Sequence, residues 1–180
     1  MLKKVFILVA VIIVIFIAVV FMQPSEFHIQ RSITIGAVPA EIFSHVNDLH
    51  QWHAWSPWTK LDPDAKETFE GGESGLGAIM HWDGNKHVGA GSMTITESKP
   101  NEDIRFQLDF LKPMKGTNTA EFTFKPKGNQ TLVTWSMSGK SDGFICKAAM
   151  LVMNCNKMIS DQFDKGLTDL KWIVESGKKS

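Results

Sequence analysis

The chain has 180 residues, enough for one ordinary domain and an appendage, with 19 basic and 19 acidic side chains and a formal net charge of zero. Taking away Lys3 and Lys4, which precede an apolar N-terminal run, leaves two more acids than bases in the remainder. Nothing there forms the concentrated basic face that nucleic acid requires, so that partner class is excluded.

Residues 5–22 are uninterruptedly apolar, VFILVAVIIVIFIAVVFM, behind Met-Leu-Lys-Lys. As a helix they span about 27 Å, close to the ~30 Å hydrocarbon thickness of a bilayer. A cleaved signal peptide has a shorter apolar stretch and small residues at its exit. Here the exit reads Val19-Val20-Phe21-Met22-Gln23-Pro24, which favours an uncleaved anchor. Lys3 and Lys4 place residues 1–4 in the cytoplasm and send the rest across the membrane. The expected location is therefore the cell membrane, single-pass, with the domain at 26–176 outside the cytoplasm.

Pro24-Ser25 breaks the helix. Residues 27–35 alternate around Arg31 and read as a half-buried strand. Pro39 then opens a helix whose apolar face is Ile42, Phe43 and Val46, followed by a short second helix over 49–52. From Glu67 the period changes to two. Phe69, Ala78-Met80-Trp82, Met93-Ile95, the segment 104–110, 120–124 and 133–137 give about six strands separated by glycine-rich turns. One wet face favours an antiparallel sheet covered on its other side. The cover is a helix over 144–175, with Ala148, Leu151, Cys155, Ile159, Phe163, Leu167, Leu170 and Val174 in one apolar stripe. Gly166 within it weakens helix propensity but permits close helix–sheet approach. Asp142-Gly143 reads as the turn that starts this helix. Cys146 and Cys155, nine residues apart on it, would stand about 13 Å apart, too far for a disulfide.

The order strand, two short helices, about six strands and one long helix is α+β. A curved antiparallel sheet of about seven strands around a long C-terminal helix solves its burial problem. The chain resembles the START-like, Bet v 1-like helix-grip superfamily, in its polyketide cyclase/dehydrase-type branch. The residues that carry the resemblance are Arg31-Ser32-Ile33, 37–43, Asn47-Asp48-Leu49, 52–58, 75–78, Trp82, Gly89-Ala90-Gly91, 131–135 and 166–171. The resemblance spans 27–175 and implies the fold. It implies no catalytic set, since its members include apolar-ligand carriers as well as cyclases.

Trp52, Trp55 and Trp58 lie within seven residues, beside His50 and His53. They read either as a gate over a pocket mouth or, preferably, as rings that pin the short helices to the sheet; each buries roughly 150–250 Å². His50 and His53 have no third ligand at recognisable spacing, so no metal is expected. His81 and Asp83 flank Trp82 and point away from it, toward water. The glycine pairs precede no phosphate-binding lysine, and no nucleophile motif occurs, so neither a cofactor nor a catalytic residue is expected. What remains is binding of a small apolar or amphipathic ligand between sheet and helix. By parity the lining is Met80, Trp82, Met93, Ile95, Phe106, Leu108, Phe110, Phe122, Trp135 and Met137, with Leu151, Cys155 and Ile159 from the helix, about half of them plain core. A cyclase- or hydrolase-type enzyme in the same cavity, or an interaction module with a collapsed pocket, are the alternatives.

Overall fold

The structure is a computed structural model, described over residues 2–140 and 143–177; the side chains of residues 145, 146, 149, 150 and 153 lie outside the description. The expectations for Asp142 and for the Cys146 side chain fall on those positions. Its elements, in chain order, are helix α1 (Leu2–Met22), strand β1 (Glu26–Ile35), helix α2 (Pro39–Asn47) and a 3-10 turn (Leu49–Gln51). Short helices α3 (Trp52–Trp55) and α4 (Pro57–Leu61) follow. Six strands come next: β2 (Lys66–Glu70), β3 (Ile79–Asp83), β4 (Ala90–Lys99), β5 (Asp103–Lys112), β6 (Gly116–Lys127) and β7 (Gln130–Lys140). Helices α5 (Phe144–Met153) and α6 (Cys155–Ser176) complete the chain.

All seven strands form one antiparallel sheet, ordered β1-β7-β6-β5-β4-β3-β2. Alternation puts Ile104 and Phe106 of β5, Ala120, Phe122 and Phe124 of β6, and Val133, Trp135 and Met137 of β7 on the inner face, all buried. The α+β helix-grip expectation holds. α6 lies against β1 and is fixed there by polar contacts at intervals along its length. Arg31 Nε donates to Asp164 Oδ2 at 3.0 Å, Lys171 Nζ to the Thr34 carbonyl at 2.7 Å, and Glu175 Oε1 accepts from the Gly36 amide at 2.7 Å. Phe163, Leu167, Leu170 and Val174 fill the seam beneath.

Two features differ from the sequence reading. The region expected as one short helix is a 3-10 turn followed by α3 and α4, because Pro57 cannot continue α3 and restarts the chain after an extended Ser56. The long C-terminal helix is two helices, broken at Asn154, whose φ of 47° and ψ of 50° lie in the left-handed region. Asparagine is among the few side-chain-bearing residues that visit that region readily, so the break needs no glycine.

Candidate functional site

The register of the ladders arranges the inner face in rows that run across the sheet. One row reads Glu67, Trp82, Gly91, Phe110, Gly116. The next reads Phe69, Met80, Met93, Leu108, Asn118, Gly139, Phe27. Further in, Ile95, Phe106, Ala120, Met137 and Ile29 form a third row, and Ile104, Phe122 and Trp135 belong to a fourth. Burial follows the rows. The third and fourth rows are closed over, while Trp82, Phe110, Met80, Leu108 and Phe27 in the first two remain half-buried.

The closed part is filled by rings. Trp135 stacks on Phe163 of α6 with centroids 4.0 Å apart and planes 8° from parallel, and on Phe122 at 4.8 Å. Trp52 and Trp55 meet Phe122 and Trp135 edge-on from above, and Trp52 also meets Phe106. Their indole N–H groups reach backbone carbonyls at the end of α2: Trp52 Nε1 donates to Val46 O at 2.9 Å and Trp55 Nε1 to His45 O at 3.2 Å. A buried tryptophan needs such an acceptor, and the end of a helix supplies free carbonyls. Trp135 Nε1, by contrast, has no acceptor among the described residues. Trp58 is half-buried and lies edge-on to Trp135 at 5.5 Å.

The expected lining residues therefore separate into two groups. Met93, Ile95, Phe106, Phe122, Trp135 and Met137 lie in the closed core together with Trp52 and Trp55. Met80, Trp82, Leu108 and Phe110 form a half-open apolar face toward the end of the sheet where β1 begins. Trp82 lies across Gly91: a Cβ there would come within 2.7 Å of the indole, so only glycine lets the ring lie flat on β4. On the helical side Ile159 and Cys155 are half-buried and Leu151 is exposed. Burial raises the Cys155 thiol pKa above its ordinary value, against an opposing backbone hydrogen bond, which keeps it protonated and a poor nucleophile. A cavity of about 350 Å³ opens beside Leu151, bounded by Gln23, Pro24, Glu26, Phe27 and His28 on one side and Lys147, Asn154 and Asn156 on the other.

Asn118 was missed in the sequence reading. It shares parity with Ala120, Phe122 and Phe124, so it faces inward in the second row, half-buried between Leu108 and Gly139. Carrying the inward alternation two residues further back from Ala120 would have found it.

Titratable groups lie at the margins of the site, and one of them, Glu67, is half-buried on the inner face in register with Trp82. His50 stacks on Phe69 at 4.0 Å, and its Nδ1 is 3.2 Å from Asp48 Oδ1. His53 lies 3.9 Å from Glu67, and His81, on the outer face as expected, 3.6 Å from Glu70. Asp83, also outward, pairs with Lys112 at 3.0 Å. Among the described residues no three His, Cys, Asp or Glu side chains converge on a common point.

A family model described as polyketide cyclase / dehydrase and lipid transport matches residues 26–175. None of the curated proteins compared with the chain matches it. Solved structures share the fold at low identity. The Aha1 dimer of Colwellia psychrerythraea is 22% identical, with a TM-score of 0.58 over 84% of this chain and 98% of its own. A protein of Nitrosospira multiformis is 20% identical, with a TM-score of 0.60 over 86% and 100%. Ara h 8.0201 is 11% identical, with a TM-score of 0.60 over 84% and 99%. The family match begins after α1, which is long and apolar enough to cross a membrane.

Proposed function

Since the chain belongs to the polyketide cyclase / dehydrase and lipid transport family, we propose that it binds a small apolar or amphipathic molecule on the half-open face and holds it beside a membrane through α1. The observation that carries this reading is the composition of the two outer rows. Met80, Trp82, Leu108 and Phe110 present half-buried apolar surface, with two polar side chains at its margins, Asn118 beside Leu108 and Glu67 beside Trp82. A face that is neither sealed nor solvated gains free energy by covering its apolar area, roughly 25 cal/mol per Å². The Asn118 amide at its β6 margin can orient a ligand that carries a hydrogen-bonding group. Ile159 and Cys155 would complete the wall from α6, with Leu151 at the entrance. Its acid, Glu67, lies at the β2 margin 3.9 Å from the exposed His53, and the apolar centre carries no nucleophile, so binding without turnover is the preferred reading.

The test is titration of residues 26–180 with an environment-sensitive fluorescent fatty acid. Binding should be saturable, and Phe110→Asp should weaken it at least tenfold, about 1.4 kcal/mol, while the fold persists because Phe110 is only half-buried. Equal affinity in the variant would move the site elsewhere. Cyclase-type chemistry is favoured by two rim pairs: His50, which rests on Phe69 and is paired with Asp48, and His53 with Glu67. Turnover of an added polyketide-like substrate that disappears in His50→Gln would replace the binding reading with that one.

A further inference from the structure

The end of the domain from which α1 departs carries a group of exposed apolar side chains. The strand ends level with Glu26 are those of Lys140 in β7, Gly116 in β6, Lys112 in β5, Ala90 in β4 and Asp83 in β3. Between Lys112 and Gly116 the β5–β6 loop follows Leu111, which is 59% exposed, and holds Met114, 43% exposed. α5 crosses the same end. Phe144 at its start lies 5.6 Å from Phe21 of α1, Lys147 Nζ donates to the Gln23 carbonyl at 2.8 Å, and Val152 near its far end is 71% exposed. Of the other apolar residues of the domain exposed to a similar degree, Val38, Leu76 and Trp172 stand singly and away from this end, and Met158 lies on the first turn of α6. The link from Met22 to Glu26 is three residues, about 10 Å at full extension. From there the β5–β6 loop is three strand spacings away, roughly 14 Å. A domain tied so closely to a membrane helix brings this end to the bilayer surface.

We propose that this end seats in the bilayer that α1 spans, with Leu111, Met114, Phe144 and Val152 entering the boundary between headgroups and acyl chains. The proposal rests on the anchor reading above. It adds a consequence: the half-open rows with Trp82 and Phe110 lie at the same end, so a ligand can pass between the groove and the membrane without crossing water. Attraction is apolar rather than coulombic, because two of the lysines here are already paired, Lys112 with Asp83 and Lys140 with Glu26. Lys115 lies at the loop tip, and its stem can lie along the apolar surface while the ammonium group reaches the phosphates.

The test uses the full chain, one copy per lipid nanodisc, with Cys146 and Cys155 replaced by serine. A single fluorophore is placed at Phe21→Cys in α1, at Met114→Cys in the loop, or at Asn129→Cys in the β6–β7 turn at the opposite end. Phospholipids with nitroxide-labelled acyl chains serve as the quencher. The expected result is strong quenching at 21 and 114, at least fivefold weaker quenching at 129, and little change in raised salt. Quenching at 21 with none at 114 would overturn the seating and leave the anchor intact. No quenching at 21 would remove the anchor and the seating together. Quenching at 114 that raised salt abolishes would show charge attraction without insertion and would also overturn the proposal.

Discussion

Gly166 sets two opposed effects against each other. In a helix interior, alanine is favoured over glycine by about 1 kcal/mol, so Gly166→Ala would stabilise a helix in isolation. Here an added Cβ would come within 2.9 Å of a Trp135 ring carbon and 3.0 Å of Pro57 Cδ, both held rigidly. Overpacking of that kind costs roughly 1–3 kcal/mol, so the expected net result is a lower melting temperature, read by thermal denaturation. A raised melting temperature would mean that α6 stands further from the sheet. Parity is tested one strand away. Phe106 is fully buried, and Phe106→Asp should leave the domain unfolded, since an unpaired carboxylate would replace a ring in the core. Gln107 is exposed and donates to Asp109 Oδ2 at 2.8 Å, so Gln107→Lys should shift stability by less than about 0.5 kcal/mol in chemical denaturation. The period-two pattern made both assignments legible, because a strand fixes the face of every second residue. It could not say which inward residues are sealed: Phe106 and Phe110 have the same parity, yet only the first lies under the Trp52 ring. That difference comes from packing between distant parts of the chain.

At the scale of elements, the turn after α2 shows what a short polar side chain contributes. Asp48 Oδ1 accepts from the His50 amide at 3.0 Å and caps the 3-10 turn that positions Trp52. Partial burial acts to raise the Asp48 carboxyl pKa, but hydrogen bonds from Gln51 and His50 outweigh it and hold the pKa below its ordinary value. A carboxyl depressed on folding contributes stability that is complete above the unfolded pKa, near 4, and lost as pH falls toward the folded value. Asp48→Asn should therefore cost stability at pH 7 and flatten the loss of stability below pH 4, measured by denaturation across that range. The helix break at Asn154 was not legible because the apolar stripe of 148, 151, 155 and 159 keeps its phase through it. Asn154→Ala should destabilise by about 1 kcal/mol, since a Cβ-bearing residue without a local polar group pays the left-handed cost in full. An unchanged stability would indicate that α5 and α6 can join.

At the scale of the whole molecule, the seven-strand order and the helix that grips it followed from the alternation of patterns along the chain, whereas the division of the inner face into a sealed half and an open half did not. That division arises because three tryptophans from one short segment converge on Trp135 and leave the rows nearest β1's start uncovered. It makes a separable prediction about the two parts of the chain. If ligand binding belongs to the open rows and α1 only sets location, deleting residues 1–25 should leave the affinity for the fluorescent fatty acid unchanged in solution. The deletion leaves Trp82, Leu108, Phe110 and Asn118 untouched, and α1 meets the domain through α5, at Phe144 and Lys147. At a free ligand concentration a hundredfold above Kd, binding adds about 2.7 kcal/mol to the folded state. For a domain of this size that is roughly 5–10 °C in melting temperature, and the shift should match between full chain in detergent and truncated domain. The difference should appear in a bilayer, where tethering confines the domain to the surface and raises the effective concentration of membrane-borne ligand by orders of magnitude. Transfer of the probe out of vesicles should then be faster for the anchored chain than for equal amounts of the truncated one. Equal transfer rates would mean that α1 does not serve ligand capture, and an affinity lost on truncation would place part of the site on α1 or at its junction with α5.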